Sequence, residues 1–229
     1  MSVQNIKMHR HVIKTFLTEL NSCGNDRFIL KGGTALMLCY GLDRFSEDID
    51  LDGTRGEDII PFVETFCKKN KYDYRIAKKT KTVQRCIVNY GKGNLKIEVS
   101  YRMPITKNRC CNINGISVYD IDSLCVFKTN AYQNRDKIRD LFDLCFIGER
   151  YFEKLSEPTR FGLANALSEK GLEQFDFMVE TQPDPLINTD DLATRFLNLY
   201  SKVGLLDEYS RNGSCHRRGR DVDSEEYSM

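Results

Sequence analysis

The chain has 229 residues, 41% of them hydrophobic and 29% charged, with a formal net charge of +1. That length allows one domain or two small ones, each with a real core, and the mix is ordinary for a soluble protein. No apolar run approaches the ~20 residues that cross a bilayer and residues 1 to 10 lack a signal-peptide core, so a cytoplasmic protein with no membrane partner is expected; the near-zero charge neither favours nor excludes nucleic acid, because a local basic patch can hide in a balanced total.

Residues 3 to 21 read as a helix, since Ile13, Phe16, Leu17 and Leu20 form one apolar stripe; Asn21-Ser-Cys-Gly24 ends it. Phe28-Ile-Leu30 suits a buried strand. Gly32-Gly33 lets the backbone take positive φ or pass close to something bulky. Thr34 reads as the N-cap of a helix over 35 to 40, which Gly41 can stop. In Asp48-Ile-Asp-Leu-Asp52 the three carboxylates share one face of a strand, while Ile49 and Leu51 bury the other. Carboxylates in a row repel one another. They are tolerable in water, and useful where a divalent cation sits between them. Taken alone, Asp-x-Asp fits a solvated acidic face better than a metal site. The order Gly-Gly-Thr, helix, Asp-x-Asp is more specific. A glycine turn at a helix N-terminus offers N–H groups to a phosphate, and carboxylates one loop later offer it a metal. Lys31, Arg44 and Ser46 flank that strand and could contact phosphate; Arg44 could equally pair with Asp43 or Glu47.

Residues 57 to 70 form a second predicted helix, with Ile59, Phe62, Val63 and Phe66 on one face and Pro61 in its first turn. Strands are expected at 72 to 76 and 83 to 90, joined by the basic turn Lys78-Lys-Thr-Lys81. Such a turn is usually a solvated loop, though one beside an active site could meet an RNA backbone. Gly91-Lys-Gly-Asn94 is a tight turn before a strand at 95 to 100, where Glu98 faces out with Lys96 and Ser100. Residues 101 to 117 read as loop. A helix capped by Asp120 or Asp122 follows, carrying Leu124, Phe127 and Ala131 on one face with Lys128 beside it. Asp140 and Asp143 lie at i, i+3 and can face one side, unless they merely pair with Arg135 or Arg139. Ile138, Leu141, Phe142 and Cys145 supply the opposite, buried face. From 149 to 206 two or three helices are expected, including 157 to 169 and 190 to 206, with Leu192, Phe196 and Tyr200 recurring. Gln182-Pro-Asp-Pro185 is a linker or turn.

Nine cysteines are an odd count with no Cys-x-x-Cys pair. Cys23, Cys39, Cys67, Cys86, Cys125 and Cys145 sit in or beside apolar runs, as core residues do. Cys110-Cys111 and Cys215-His216 lack a second ligand pair, so a reduced chain is the default.

Lys31-Gly-Gly-Thr-Ala-Leu, Tyr40-Gly-Leu, Arg44-x-Ser46 and Asp48-Ile-Asp50-Leu resemble the AbiEii-type nucleotidyltransferases, toxin-like members of the polymerase-β-like superfamily. Leu124-x-x-x-Lys128-x-x-Ala131, followed by Arg135-x-x-x-Arg139-Asp140-Leu-Phe-Asp143, resembles the same family. Gly33-Thr34 stands where Gly-Ser is usual and keeps the hydroxyl. The resemblance implies an α+β fold: a polymerase-β-like nucleotidyltransferase domain at 1 to 119, a mixed sheet with flanking helices. A helical bundle at 120 to 207 would complete the cleft, and 208 to 229 would be a flexible tail. It implies that Asp48 and Asp50 hold Mg²⁺ or Mn²⁺ on a nucleoside triphosphate, and that Gly33 and Thr34 cradle phosphate. Arg44, Ser46 and Asp140 would contact the nucleotide, and Glu98 would be the third carboxylate, where Asp is more usual. Lys128 and Asp143 would belong to the active site. The implied acceptor is RNA, especially tRNA 3′ ends, in a toxin role opposed by an antitoxin protein. A small-molecule or protein nucleotidyltransferase, or a non-catalytic binding module, would keep the same core.

That resemblance carries a geometric condition. Lys128 and Asp143 would lie roughly 22 Å apart in one straight helix, too far to share a site. The chain must therefore break between them, and 130 to 136 is the expected place.

Overall fold

A computed structural model describes residues 3–22 and 27–206. Cys23, Gly24, Cys215, His216 and the tail expected from 208 lie outside those residues. Helix α1 (Val3–Ser22) precedes β1 (Phe28–Lys31), α2 (Gly32–Cys39) and β2 (Ile49–Gly53). Helix α3 (Ile60–Asn70) leads into β3 (Asp73–Lys79), β4 (Val83–Asn89) and β5 (Asn94–Ser100). A short 3-10 turn precedes β6 (Cys110–Ile113) and β7 (Ile116–Tyr119). Every regular element described after β7 is helical: α4 (Ile121–Asn134), α5 (Ile138–Tyr151), α6 (Glu157–Lys170), α7 (Glu173–Thr181) and α8 (Thr189–Lys202), with one more 3-10 turn at Phe152–Lys154. None of the described helices is long and apolar enough to cross a membrane.

The seven strands form one mixed sheet in the order β3-β4-β5-β2-β1-β7-β6. β2 runs parallel to β5, and β1 parallel to β7, while the other neighbours are antiparallel. Alternation puts Ile49, Leu51, Cys86, Val88, Leu95, Ile97 and Val99 on one face, all buried. There α1 and α3 interlock through Phe16, whose ring meets Phe62 and Phe66 edge-on at 5.2 and 5.1 Å. The same alternation turns Asp50, Glu98 and Arg85 to the opposite face.

Four expectations need correcting. Thr34 is not an N-cap: α2 starts three residues earlier than expected, at Gly32, with Lys31 as cap, because Gly32 at φ +76° turns the chain sharply. Residues 101 to 117 are not all loop. β6 and β7 make a hairpin whose two-residue turn, Asn114-Gly115, holds φ of +53° and +80°, the primed geometry that Asn-Gly favours. Phe127 is not a core residue: it is 37% exposed and packs edge-on against Tyr119. The buried face of α4 is instead Leu124, Cys125, Lys128, Thr129 and Tyr132. The basic turn shortens as well, since Lys78 and Lys79 belong to β3.

Asp120 caps α4 by accepting from the Ser123 amide at 2.7 Å. The helix ends at Asn134 and α5 begins at Ile138, so the break falls at 135 to 137. α4 and α5 then pack side by side, with α6 against α4 and α8 against α5. On α8, Leu192, Phe196 and Tyr200 all face inward.

Candidate active site

Gly33 makes the site possible by lacking a side chain. A Cβ there would stand 2.9 Å from both Arg44 Nη2 and Ser46 Oγ, so only glycine lets those groups lie over the start of α2. Thr34 is buried, and its hydroxyl donates to the Asp48 carbonyl. It also bonds Ser46 Oγ at 3.0 Å. Thr34 thus fixes the loop that delivers β2, and its hydroxyl is turned away from the cavity. His9 braces the same loop from α1: Nε2 lies 2.7 Å from the Glu47 carbonyl and Nδ1 2.6 Å from Tyr90 Oη.

The register places Asp50 between Lys31 and Glu98 on its two neighbouring strands. Asp48 pairs with Lys96 at 2.5 Å, and Glu98 with Arg85 at 2.6 Å. Among the described residues Asp50 has no such close partner. Burial raises its pKa, with Lys96 opposing and the Asp48 and Glu98 charges adding to the rise. Asp52, on the same strand face, is withdrawn: Lys31 holds it at 2.5 Å and Tyr119 Oη at 3.0 Å. That leaves Glu98, not Asp52, beside the Asp48/Asp50 pair.

The helical half brings a buried ionic network. Arg44 grips Asp143 through Nε and Nη2, both at 2.7 Å. Asp143 also takes Lys128 Nζ at 2.6 Å, and Lys128 reaches Asp140 at 3.0 Å. Arg135 closes the chain with two bonds to Asp140, 2.7 and 3.1 Å. Arg44 therefore pairs with neither Asp43 nor Glu47. Arg195 takes Asp43 instead, at 2.5 Å. Burial alone would lower the Lys128 pKa, but Asp143 and Asp140 hold it above the usual lysine value. Burial likewise works to raise Asp140, yet Lys128 and Arg135 outweigh it and keep the carboxyl below its ordinary value.

These groups surround one cavity of about 700 Å³, lined by Gly33, Arg44, Ser46, Asp48, Asp50, Glu98, Lys128 and Asp140 among others. A volume of this size is typical of small-molecule sites. Eight of the ten anticipated residues thus line it. Thr34 and Asp143 do not: both are buried behind it, where they position Asp48, Arg44 and Lys128. The cavity has further walls that sequence reasoning passed over. Arg85 and Lys96 neutralise the carboxylates. Lys137 and Arg139 stand at the start of α5. Gln182, Pro183 and Asp184 form a strap along the cavity. Gln182 ties the strap down by accepting from the Ile138 amide at 3.3 Å and donating to the Asp136 carbonyl at 2.5 Å, while Asp184 pairs with Arg139 at 2.5 Å. The Gln-Pro-Asp-Pro turn was visible in the sequence, but nothing there said what it faced.

Asp48, Asp50 and Glu98 offer hard oxygen donors, the chemistry Mg²⁺ and Mn²⁺ prefer. Among the described residues no three ligands already converge on one point, because Lys96 and Arg85 draw two of the carboxylates aside. The set fits an ion that takes one or two carboxylates and completes its shell with phosphate and water.

A family profile described as nucleotidyl transferase AbiEii toxin, type IV TA system, matches residues 15–200. Among solved structures, JHP933 from Helicobacter pylori is 25% identical, with a TM-score of 0.74 over 95% of this chain and 100% of that one. A second H. pylori structure is 26% identical, with the same TM-score over 93% and 98% of the two chains. MenT4, a nucleotidyltransferase toxin from Mycobacterium tuberculosis H37Rv, shares the fold at 18% identity, with a TM-score of 0.55 over 94% of this chain and 90% of its own. Curated proteins contain no significant match.

Proposed function

The chain belongs to the AbiEii nucleotidyltransferase toxin family, and from that premise we propose that it moves a nucleoside monophosphate from a nucleoside triphosphate to a hydroxyl of RNA, with tRNA as the acceptor. One observation carries this reading: the Asp48, Asp50 and Glu98 carboxylates share a single cavity with the Gly33 backbone and the cationic Lys128. Anions and cations around one cavity suit a triphosphate held between a metal and fixed positive charge.

Asp48 and Asp50 would hold Mg²⁺ or Mn²⁺, which when bound supplies Lewis-acid stabilisation of the charge at the α-phosphate. The Gly33 backbone leaves room for phosphate beside Ser46 and Arg44. Lys128, held between Asp140 and Asp143, presents a fixed charge to the nucleotide, and Asp140 and Arg135 orient it. The acceptor oxygen forms a bond to the α-phosphorus, the bond to the bridging α–β oxygen breaks, and pyrophosphate leaves. Glu98 stands on the sheet side, where it can take the acceptor proton. The sheet half, residues 1 to 119, supplies the carboxylates Asp48, Asp50 and Glu98, and the helical half, 120 to 207, adds Lys128, Arg135, Lys137 and Arg139. The family context supplies an antitoxin protein as partner, and both substrates are at hand in the cytoplasm.

The test is label transfer. Protein, Mg²⁺ and each α-labelled triphosphate are incubated with total cellular RNA, beside an Asp48→Ala/Asp50→Ala control and an EDTA arm. A tRNA-sized band that disappears in both controls is the expected result. Label on a small molecule or a protein, with RNA unlabelled, would move the assignment to that acceptor.

A further inference from the structure

The open sheet face does not stop at the carboxylates. Register pairs Asp50 with Glu98, Glu98 with Arg85, and Arg85 with Lys78. A second row pairs Lys96 with Ile87, and Ile87 with Arg75. Residues opposite each other in a ladder point to the same side, so Arg75, Lys78, Arg85 and Lys96 share the face that carries Asp50. Arg75 and Lys78 are three apart in sequence and would face opposite sides of a regular strand. They share one because the β3 register shifts between Ile76 and Lys78. A bulge of this kind re-aims side chains.

The face is uncovered at its outer end, where Arg75 and Lys78 are exposed. Neither forms an ion pair among the described residues, whereas Arg85 and Lys96 are committed to Glu98 and Asp48. The only acid on the same face of β3 is Asp73, opposite Asn89 at the far end. Three strand spacings separate Lys78 from Asp50, about 14 Å. A strip of cations thus runs from the sheet edge to the candidate site. Its inner members, Arg85 and Lys96, line the cavity itself.

We infer that this strip, with Arg75 and Lys78 at its outer end, is the track along which the phosphate backbone of the acceptor RNA approaches the site. The inference rests on the proposed RNA acceptor. It adds which surface of the molecule holds that acceptor and which residues outside the cavity do so. Phosphate contacts position a nucleic acid without reading its sequence, so the track sets the approach and leaves base selection to the cavity.

The test compares an Arg75→Ala/Lys78→Ala variant with the wild-type chain and with a Lys7→Ala/Lys14→Ala control on the exposed side of α1. Binding of a fluorescently labelled tRNA transcript is followed by anisotropy across a salt series, without triphosphate, and label transfer is measured alongside. The variant should bind at least about fivefold more weakly, and its log–log salt slope should be shallower by about 1.4, two single-strand phosphates' worth. Triphosphate binding should be unchanged, and the control should match wild type. If the variant keeps wild-type affinity and slope while wild type labels RNA, the track is overturned and the proposed function stands. If wild type neither binds nor labels RNA, the acceptor assignment fails and the track with it.

Discussion

Arg44 and Asp143 meet in a two-pronged ion pair with almost no exposure, 4% and 0% for the two side chains, although 99 residues separate them in the chain. Removing one partner of such a pair leaves the other charge buried and uncompensated, which costs about 3–5 kcal/mol. Asp143→Ala would strand Arg44 and leave Lys128 with Asp140 as its one remaining carboxylate. We predict a loss of that size in urea unfolding. A loss under about 1 kcal/mol would mean that the network is solvated and that Asp143 has no positioning role.

Asp50 has the opposite balance. Burial and the charges of Asp48 and Glu98 raise its pKa, with Lys96 opposing, a balance suited to a bound cation and costly without one. Asp50→Asn should therefore raise stability by about 0.5–2 kcal/mol while lowering label transfer at least about 10²-fold. Thermal melting and initial rates on the same preparation test both halves. A variant that melts earlier would show that Asp50 is held by favourable contacts.

Asp140 makes the acid limb of stability predictable. Lys128 and Arg135 hold its folded pKa below the ordinary value. Its contribution is then fully present above the unfolded carboxyl value of about 3.9 and is lost as pH falls through the lowered folded value. Across that window Asp140→Asn removes up to one proton from the linkage, so its stability should fall less steeply than wild type, by at most about 1.4 kcal/mol per pH unit. Urea midpoints from about pH 5 down to the acid transition provide the readout. Parallel acid limbs would place Asp140 outside the linked set.

Gly33→Ala tests the close approach over the start of α2. The added methyl meets Arg44 Nη2 and Ser46 Oγ at 2.9 Å, and overpacking of this kind costs about 1–3 kcal/mol. Because the displaced groups line the cavity, triphosphate affinity should fall along with stability. Unchanged affinity would show that the nucleotide does not use this corner.

Much of this was legible in the chain because period-2 alternation is strict at the key strands. Ile49 and Leu51, and Leu95, Ile97 and Val99, bury one side, which turns Asp50 and Glu98 to the other. The 15-residue gap between Lys128 and Asp143 forced a break that the structure places at 135 to 137. What stayed hidden was pairing at long range. The i, i+3 spacing of Asp140 and Asp143 says they share a side, but not that Arg44 buries one and leaves the other on the cavity. The β6–β7 hairpin did announce itself in Ile113-Asn-Gly-Ile116, and was masked by strands of only four residues with polar and cysteine side chains. Thr34 misled because a capping residue type stands inside a helix that a left-handed glycine had already begun.

The strap at 182 to 184 gives the molecule a clock. The carboxylates are made first, Lys128 and Asp140 follow, and the last wall arrives only when the ribosome has passed Asp184, which must then reach back to Arg139. At about 5–20 residues per second, several seconds of synthesis separate Asp48 from that closure. Because the enclosure draws on residues as far apart as Gly33 and Asp184, a nascent chain that already carries the carboxylates still lacks one wall of the cavity.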